Sequence, residues 1–173
     1  SFFLLVLING FNFIDGVNNL SSLNMFLIIL FLYFLSREFS SEFQYLRNTL
    51  LPLLFIFILL NFFGKNFLGD GGVYGLGFFI GIIAIQVTLL NDQISPYFIA
   101  NLLWYPAFEN LFSIIRRLFI SRKKISSPDT LHLHQLIYVF LSKYIYKKSK
   151  FSNTKTGLII LLYHFVIFYL TIV

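Results

Sequence analysis

The feature that most constrains this chain is how its apolar residues are distributed. They gather into blocks at about 1–9, 23–35, 50–63, 73–90, 97–115 and 157–173, with short polar stretches between them. A soluble domain alternates core and surface positions along each element and does not collect apolar residues into runs of this length. The blocks predict an all-α, polytopic bundle of transmembrane helices with its polar loops at the membrane faces. Composition agrees, at 58% hydrophobic and 12% charged residues, against about 25% charged in an ordinary soluble domain.

The opening run SFFLLVLI would make about 12 Å of helix at 1.5 Å per residue, too short to cross a bilayer. It has neither the basic flank nor the small-residue cleavage site of a signal peptide. It reads as the tail of a helix that starts before Ser1, and residues 1–173 as the C-terminal part of a single integral membrane domain. The absence of cysteine excludes a disulfide framework, a thiolate metal site and a cysteine nucleophile.

The net charge of +6 has a local origin, because ten of the thirteen basic residues lie between Arg116 and Thr156. Basic residues beside spans act as an orientation signal, which makes 116–156 a cytoplasmic loop and removes the case for a nucleic-acid partner. Counting spans back places 91–96 outside, 64–72 inside, 36–49 outside and 9–20 inside. Three unusual polar segments then share the cytoplasmic face.

In the first, NGFNFIDG, residues Asn9, Asn12 and Asp15 recur every three positions and share one side of a helix end, and Gly16 lets the chain turn. An ionisable group at membrane depth is costly enough to suggest function, although an Asp cap with asparagines in a loop would look similar. In the second, FFGKNFLGDGGVYGLG, Asp70 sits among Gly69, Gly71 and Gly72, with Lys65 nearby as a phosphate partner. Glycines admit close approach of a ligand, and a carboxylate plus substrate phosphates commonly binds Mg²⁺; a plain tight turn is the alternative.

The third, SSPDTLHLHQLIY, starts a helix with Ser127 as cap and Pro128 at its first position. Its free N–H groups, with His132 and His134, suit a cytoplasmic anion. Two residues apart, the imidazoles diverge by about 200° on a regular helix and can meet one ligand only where the turn is irregular. Of the run Arg116, Arg117, Arg122, Lys123 and Lys124, most set topology and touch anionic head groups. A diphosphate contact falls to one or two of them, with Arg117 the candidate. Gly77 and Gly81 form a small-xxx-small pair for close helix packing, and His164 within the last block is a packing residue.

In this order and spacing the three segments resemble the C-terminal part of the polyprenyl-phosphate N-acetylhexosamine-1-phosphate transferases of glycosyl transferase family 4, in particular the undecaprenyl-phosphate N-acetylglucosamine-1-phosphate transferase branch. Asn9-x-x-Asn12-x-x-Asp15-Gly16 is similar to that family's Asn-x-x-Asn-x-x-Asp-Gly-x-Asp-Gly loop. Phe67-Leu68-Gly69-Asp70-Gly71-Gly72 is similar to its Phe-Leu-Gly-Asp-x-Gly-Ser loop, and His132-Leu133-His134-Gln135 to its His-x-His-His motif. The chain departs from the pattern at Asn18 for a second Asp, Asn19 for Gly, Val73 for Ser and Gln135 for a third His.

The resemblance implies transfer of N-acetylhexosamine-1-phosphate from a UDP-sugar to polyprenyl phosphate, with release of UMP, to initiate a lipid-linked envelope glycan. It implies Asp15 and Asp70 as catalytic residues, Asp70 as a ligand of Mg²⁺, for which Mn²⁺ could substitute, and Asn9, Asn12, Lys65, His132, His134 and Arg117 as substrate-binding residues. Its partners are UDP-N-acetylhexosamine, polyprenyl phosphate and the lipid bilayer, with a homodimer left open, in a bacterial inner membrane. It also implies an acidic Asp-Asp motif upstream of Ser1, without which residues 1–173 alone would be inactive. A membrane transporter or channel and an inactive membrane fragment are the competing readings.

Overall fold

The computed structural model describes residues 2–35, 41–121, 132–145 and 151–170, and no strand occurs among them. The helices are α1 (Phe2–Ile14), α2 (Leu20–Leu35), α3 (Ser41–Phe62), α4 (Gly69–Leu90), α5 (Pro96–Leu102), α6 (Trp104–Ile115), α7 (Leu133–Tyr144) and α8 (Ser152–Leu170). A π-helical turn, Arg116–Ser121, follows α6 directly. The expected all-α membrane bundle is what forms.

Two helices, α4 and α8, are long and apolar enough to cross a bilayer, and α5 with the helix after it forms an apolar pair bent by 74°, a broken span or a re-entrant loop. The protein is a membrane protein. Expected block 97–115 is therefore a broken helix rather than a straight one. The cause lies at Pro106, which has no N–H to return to the carbonyl of Leu102. Leu103 sits at the break with φ −100° and ψ 9°. His164 stacks on Trp104 at 5.7 Å, in the packing role expected of it.

α1 lies at the centre, packed on α4 and α6, while α2 packs on α3, α4 and α8, and α7 lies on α8. Small residues set the closest approaches. A Cβ at Gly77 would stand 3.2 Å from Phe11 Cδ2, and one at Gly81 would collide with Leu4, so both small residues of the pair face α1. Gly10 of α1 meets the Pro106 backbone of α6 in the same manner.

Within the described residues α3 starts at Ser41, so residues 41–49 of the expected loop are helical. It ends in a Schellman motif: Gly64, at φ +66°, donates to Asn61 at 2.8 Å, and Lys65 donates to Leu60 at 3.4 Å. Side chains then tie four segments together at one end of the bundle. Asn61 accepts from the backbone N–H of Asn19 and donates to the Asn66 carbonyl. Asn18 donates to Thr154 at 3.3 Å and accepts from Asn153 at 3.1 Å, and Thr154 donates to the Phe62 carbonyl at 3.0 Å. At the other end Asn91, after α4, donates to Leu35 of α2 at 3.5 Å. The α1–α2 and α3–α4 connections and the start of α8 thus share one face.

Candidate functional site

The first polar segment lies along and just beyond the end of α1. Asn9 is exposed and donates to Leu5 of its own helix at 2.8 Å, which turns its amide away from the other segments. Asn12, one turn on, donates to the Tyr74 hydroxyl of α4 at 3.2 Å. Asp15 follows the last turn and is half-buried. Burial pushes its carboxyl up from 3.8 to about 6, the Gly69 N–H opposes that rise, and the charge of Asp70 adds to it. Those partners place Asp15 against the start of α4.

The start of α4 is built for such an approach. Gly69 has φ +64°, where a side chain would be strained, and a Cβ on Gly69 or Gly71 would meet nothing within 4 Å. Asp70 is exposed in the first turn, near the positive end of the helix dipole. Lys65 is exposed in the turn that leads there from α3.

The third segment departs from its expected geometry. Ser127 and Pro128 lie outside the described residues, and the described helix α7 starts at Leu133. His132 is the extended residue before it, at φ −66° and ψ 148°. This irregular step brings the two imidazoles together, their rings 5.5 Å apart and within 4° of parallel. Phe13 of α1 closes the other side of His132 at 4.9 Å. Gln135 accepts from the His132 N–H at 3.3 Å, so the residue in place of a third histidine holds the turn.

Beneath the pair lies Glu109 of α6, which is fully buried. Its Oε1 accepts from the Leu133 N–H at 2.8 Å and lies 3.2 Å from His132 Nδ1 and 3.7 Å from His134 Nδ1. Ser113, one turn along α6, places its Oγ 3.2 Å from His132 Nδ1. His134 is buried, and desolvation lowers its pKa from 6.5 to about 4; Glu109 opposes the shift and His132 adds to it. The ring is neutral at physiological pH. Its Nε2 faces Gly16, where a Cβ would stand 3.2 Å away.

So Asp15 joins the first segment to the second, and Gly16 joins it to the third. Arg117 is buried in the π-helical turn that continues α6, an element often found at functional sites. Among the described residues no three His, Asp or Glu side chains surround a point that a metal ion could fill.

The glycosyl transferase family 4 model matches residues 1–88, just over half of the chain. The chain belongs to glycosyl transferase family 4. Comparison with curated proteins and with solved structures gives no match. The matched region holds the first two polar segments and α1 through most of α4. Glu109 and the histidine pair lie beyond it, joined to the family region by Gly16 and Phe13.

Sequence reasoning missed Glu109, Ser113 and Tyr74. For Glu109 a signal existed, since it is the one charged residue in the block 97–115, and a carboxylate inside a span is expensive. For Ser113 and Tyr74 there was none, because each matters only through a partner brought from another helix.

Proposed function

We propose that this glycosyl transferase family 4 chain forms the cytoplasmic site of a polyprenyl-phosphate N-acetylhexosamine-1-phosphate transferase in a bacterial inner membrane. The observation that carries this reading is the meeting of Asp15 with Asp70, beside Gly16 and the histidine pair, at one end of an apolar bundle. The acceptor needs hydrocarbon for its lipid tail and the donor needs water for its nucleotide, and only a site at a membrane surface serves both. An ion path would instead need charged groups strung through the bundle, whereas Asp15, Asp70, His132 and His134 gather at its end.

In the reaction a phosphate oxygen of polyprenyl phosphate attacks the β-phosphorus of the UDP-sugar. One phosphorus–oxygen bond forms, the bond to the bridging oxygen breaks, and UMP leaves with that oxygen and its electron pair. Such transfers depend on positioning and charge neutralisation more than on covalent participation by the protein. Asp15 and Asp70 are hard oxygen donors whose mutual repulsion a cation would relieve, and two carboxylates completed by phosphate oxygens and water suit Mg²⁺, with Mn²⁺ as a substitute. When bound, the metal would supply Lewis-acid charge neutralisation at the diphosphate.

The chain's own groups orient the reactants. Asn12, held by Tyr74, fixes the α1 face beside α4. Lys65 and Arg117 supply positive charge for phosphate oxygens, and the histidine pair meets the donor next to Gly16. In the full-length protein Asp70→Asn should abolish UMP release from UDP-N-acetylhexosamine in the presence of polyprenyl phosphate, while membrane insertion is unchanged. Wild-type turnover by that variant would refute the assignment of Asp70.

A further inference from the structure

Glu109 is a carboxylate with no exposed surface, in the middle of an otherwise uncharged apolar block. Removing a carboxylate from water costs several kcal/mol unless partners repay it. Its partners are specific. Oε2 has no hydrogen-bond partner among the described residues, so the group's hydrogen bonding runs through Oε1, which accepts from the Leu133 N–H at 2.8 Å and faces His132 Nδ1 at 3.2 Å; His134 Nδ1 lies 3.7 Å away, an electrostatic contact rather than a hydrogen bond.

We propose that Glu109 is a positioning residue for the transfer reaction: it turns the Nδ1 atoms of His132 and His134 inward and leaves Nε2 of His134 as a hydrogen-bond acceptor for the substrate at Gly16. The role rests on the transferase reading above. A neutral imidazole has one N–H and one lone pair, and a carboxylate facing Nδ1 selects the tautomer with the proton there. His134 Nε2 then presents a lone pair beside the one residue that has no side chain to block it. Neither nitrogen of this buried ring has a hydrogen-bond partner among the described residues, and what separates them is the Glu109 carboxylate, 3.7 Å from Nδ1, which favours the proton on that side. A lone pair cannot donate to a phosphate oxygen. The group it takes is therefore a donor, a sugar hydroxyl or an amide N–H of the nucleotide sugar, and His134 reads the sugar side of the donor rather than its charge.

A purely structural account would have Glu109 cap α7 through the Leu133 N–H and nothing more. The two roles separate under test. ¹⁵N NMR of the histidine-labelled full-length protein in nanodiscs, with His134→Gln to assign its ring, reports the state of each nitrogen. At pH 7 the expected result is His134 neutral, protonated at Nδ1 and bare at Nε2. Glu109→Ala should lose that tautomer and lower kcat about 10- to 100-fold, the cost seen when the partner that fixes a functional histidine is removed. Glu109→Gln keeps an acceptor at the same place and should keep the tautomer and most of the turnover.

A proton on Nε2 of His134 in the wild type would overturn the proposal, as would wild-type tautomer and turnover in Glu109→Ala. If the alanine variant fails to fold, the wild-type tautomer and the glutamine variant decide. The NMR result does not depend on turnover, so absence of transferase activity in the wild type would refute the transferase reading and leave the positioning geometry to be judged alone.

Discussion

Replacing Gly10 with alanine tests whether the α1–α6 contact sets the geometry of the site. A Cβ at Gly10 would overlap the carbonyl oxygen and carbon of Pro106, inside the 3.0 Å that real Cβ atoms respect. The obstacle is backbone, so no rotamer change relieves it and the helices must part. Overpacking of this kind costs about 1–3 kcal/mol. Parting also strains the bond from Asn110 Nδ2 to the Val6 carbonyl, 3.0 Å long and buried, worth about 1 kcal/mol. Alanine returns about 1 kcal/mol through helix propensity, which leaves a net loss of about 2 kcal/mol. Gly75→Ala is the control, because a Cβ there meets nothing within 4 Å and only the propensity gain of about 1 kcal/mol remains. The two variants should therefore differ by about 3 kcal/mol, more than a hundredfold in the unfolding equilibrium. Trp104 is the only tryptophan, sits at the bend beside Pro106 and stacks on His164, so its fluorescence reports unfolding by SDS in mixed micelles. Equal midpoints for Gly10→Ala and Gly75→Ala would refute the claim that this contact is at its closest packing.

Two further outcomes follow from the same coordinates. His134 carries a folded pKa of about 4 against 6.5, so the unfolded chain takes up a proton between those values that the folded chain refuses. Wild-type stability relative to His134→Gln should then fall by about 3 kcal/mol as pH drops from 7 to 4. Asp15, with its pKa raised to about 6, shifts stability in the opposite direction, falling as pH rises, but does so in both proteins; parallel pH curves would sink the buried-histidine assignment. Asn61→Ala should cost about 1–3 kcal/mol by leaving the buried Asn19 N–H without its acceptor, read as a lowered SDS midpoint, and an unchanged midpoint would show that the Asn61 latch is dispensable.

The apolar blocks and the sharing of one face by the three polar segments were legible because both depend on residue order alone. The bonds from Asn18 to Thr154 and from Asn61 to Asn19 join segments at one end of the bundle, the grouping that counting the apolar blocks predicts. The polar flank of α3 read as loop because its charges hid a helix that continues past the apolar block. The break at Leu103 turns on Pro106, and the ring stacked on Trp104 beside it is His164, from a helix far along the chain, a pairing no local pattern encodes. His132 and His134 looked incompatible with one ligand on a regular helix, and they meet because His132 stands outside α7 with its ring held against Phe13.

The positions where the chain departs from its family's pattern have a physical reading in this structure. Asn18, in place of an acid, spends its side chain on Thr154 and Asn153. A carboxylate there could accept from Asn153 but could not donate, so the Thr154 hydroxyl, already donating to the Phe62 carbonyl, would be left facing a second acceptor. Asn19, in place of glycine, adopts φ 62°, the left-handed conformation that asparagine tolerates better than other side-chain-bearing residues. Gln135, in place of a third histidine, accepts the His132 N–H. Each of these three substitutions preserves a backbone shape or a bond between segments, and none alters Asp15, Asp70 or His134. In the proposed reaction the charged and titratable side chains carry the chemistry of this face, and the amides around them tie the segments of Asn18, Asn61 and Thr154 together.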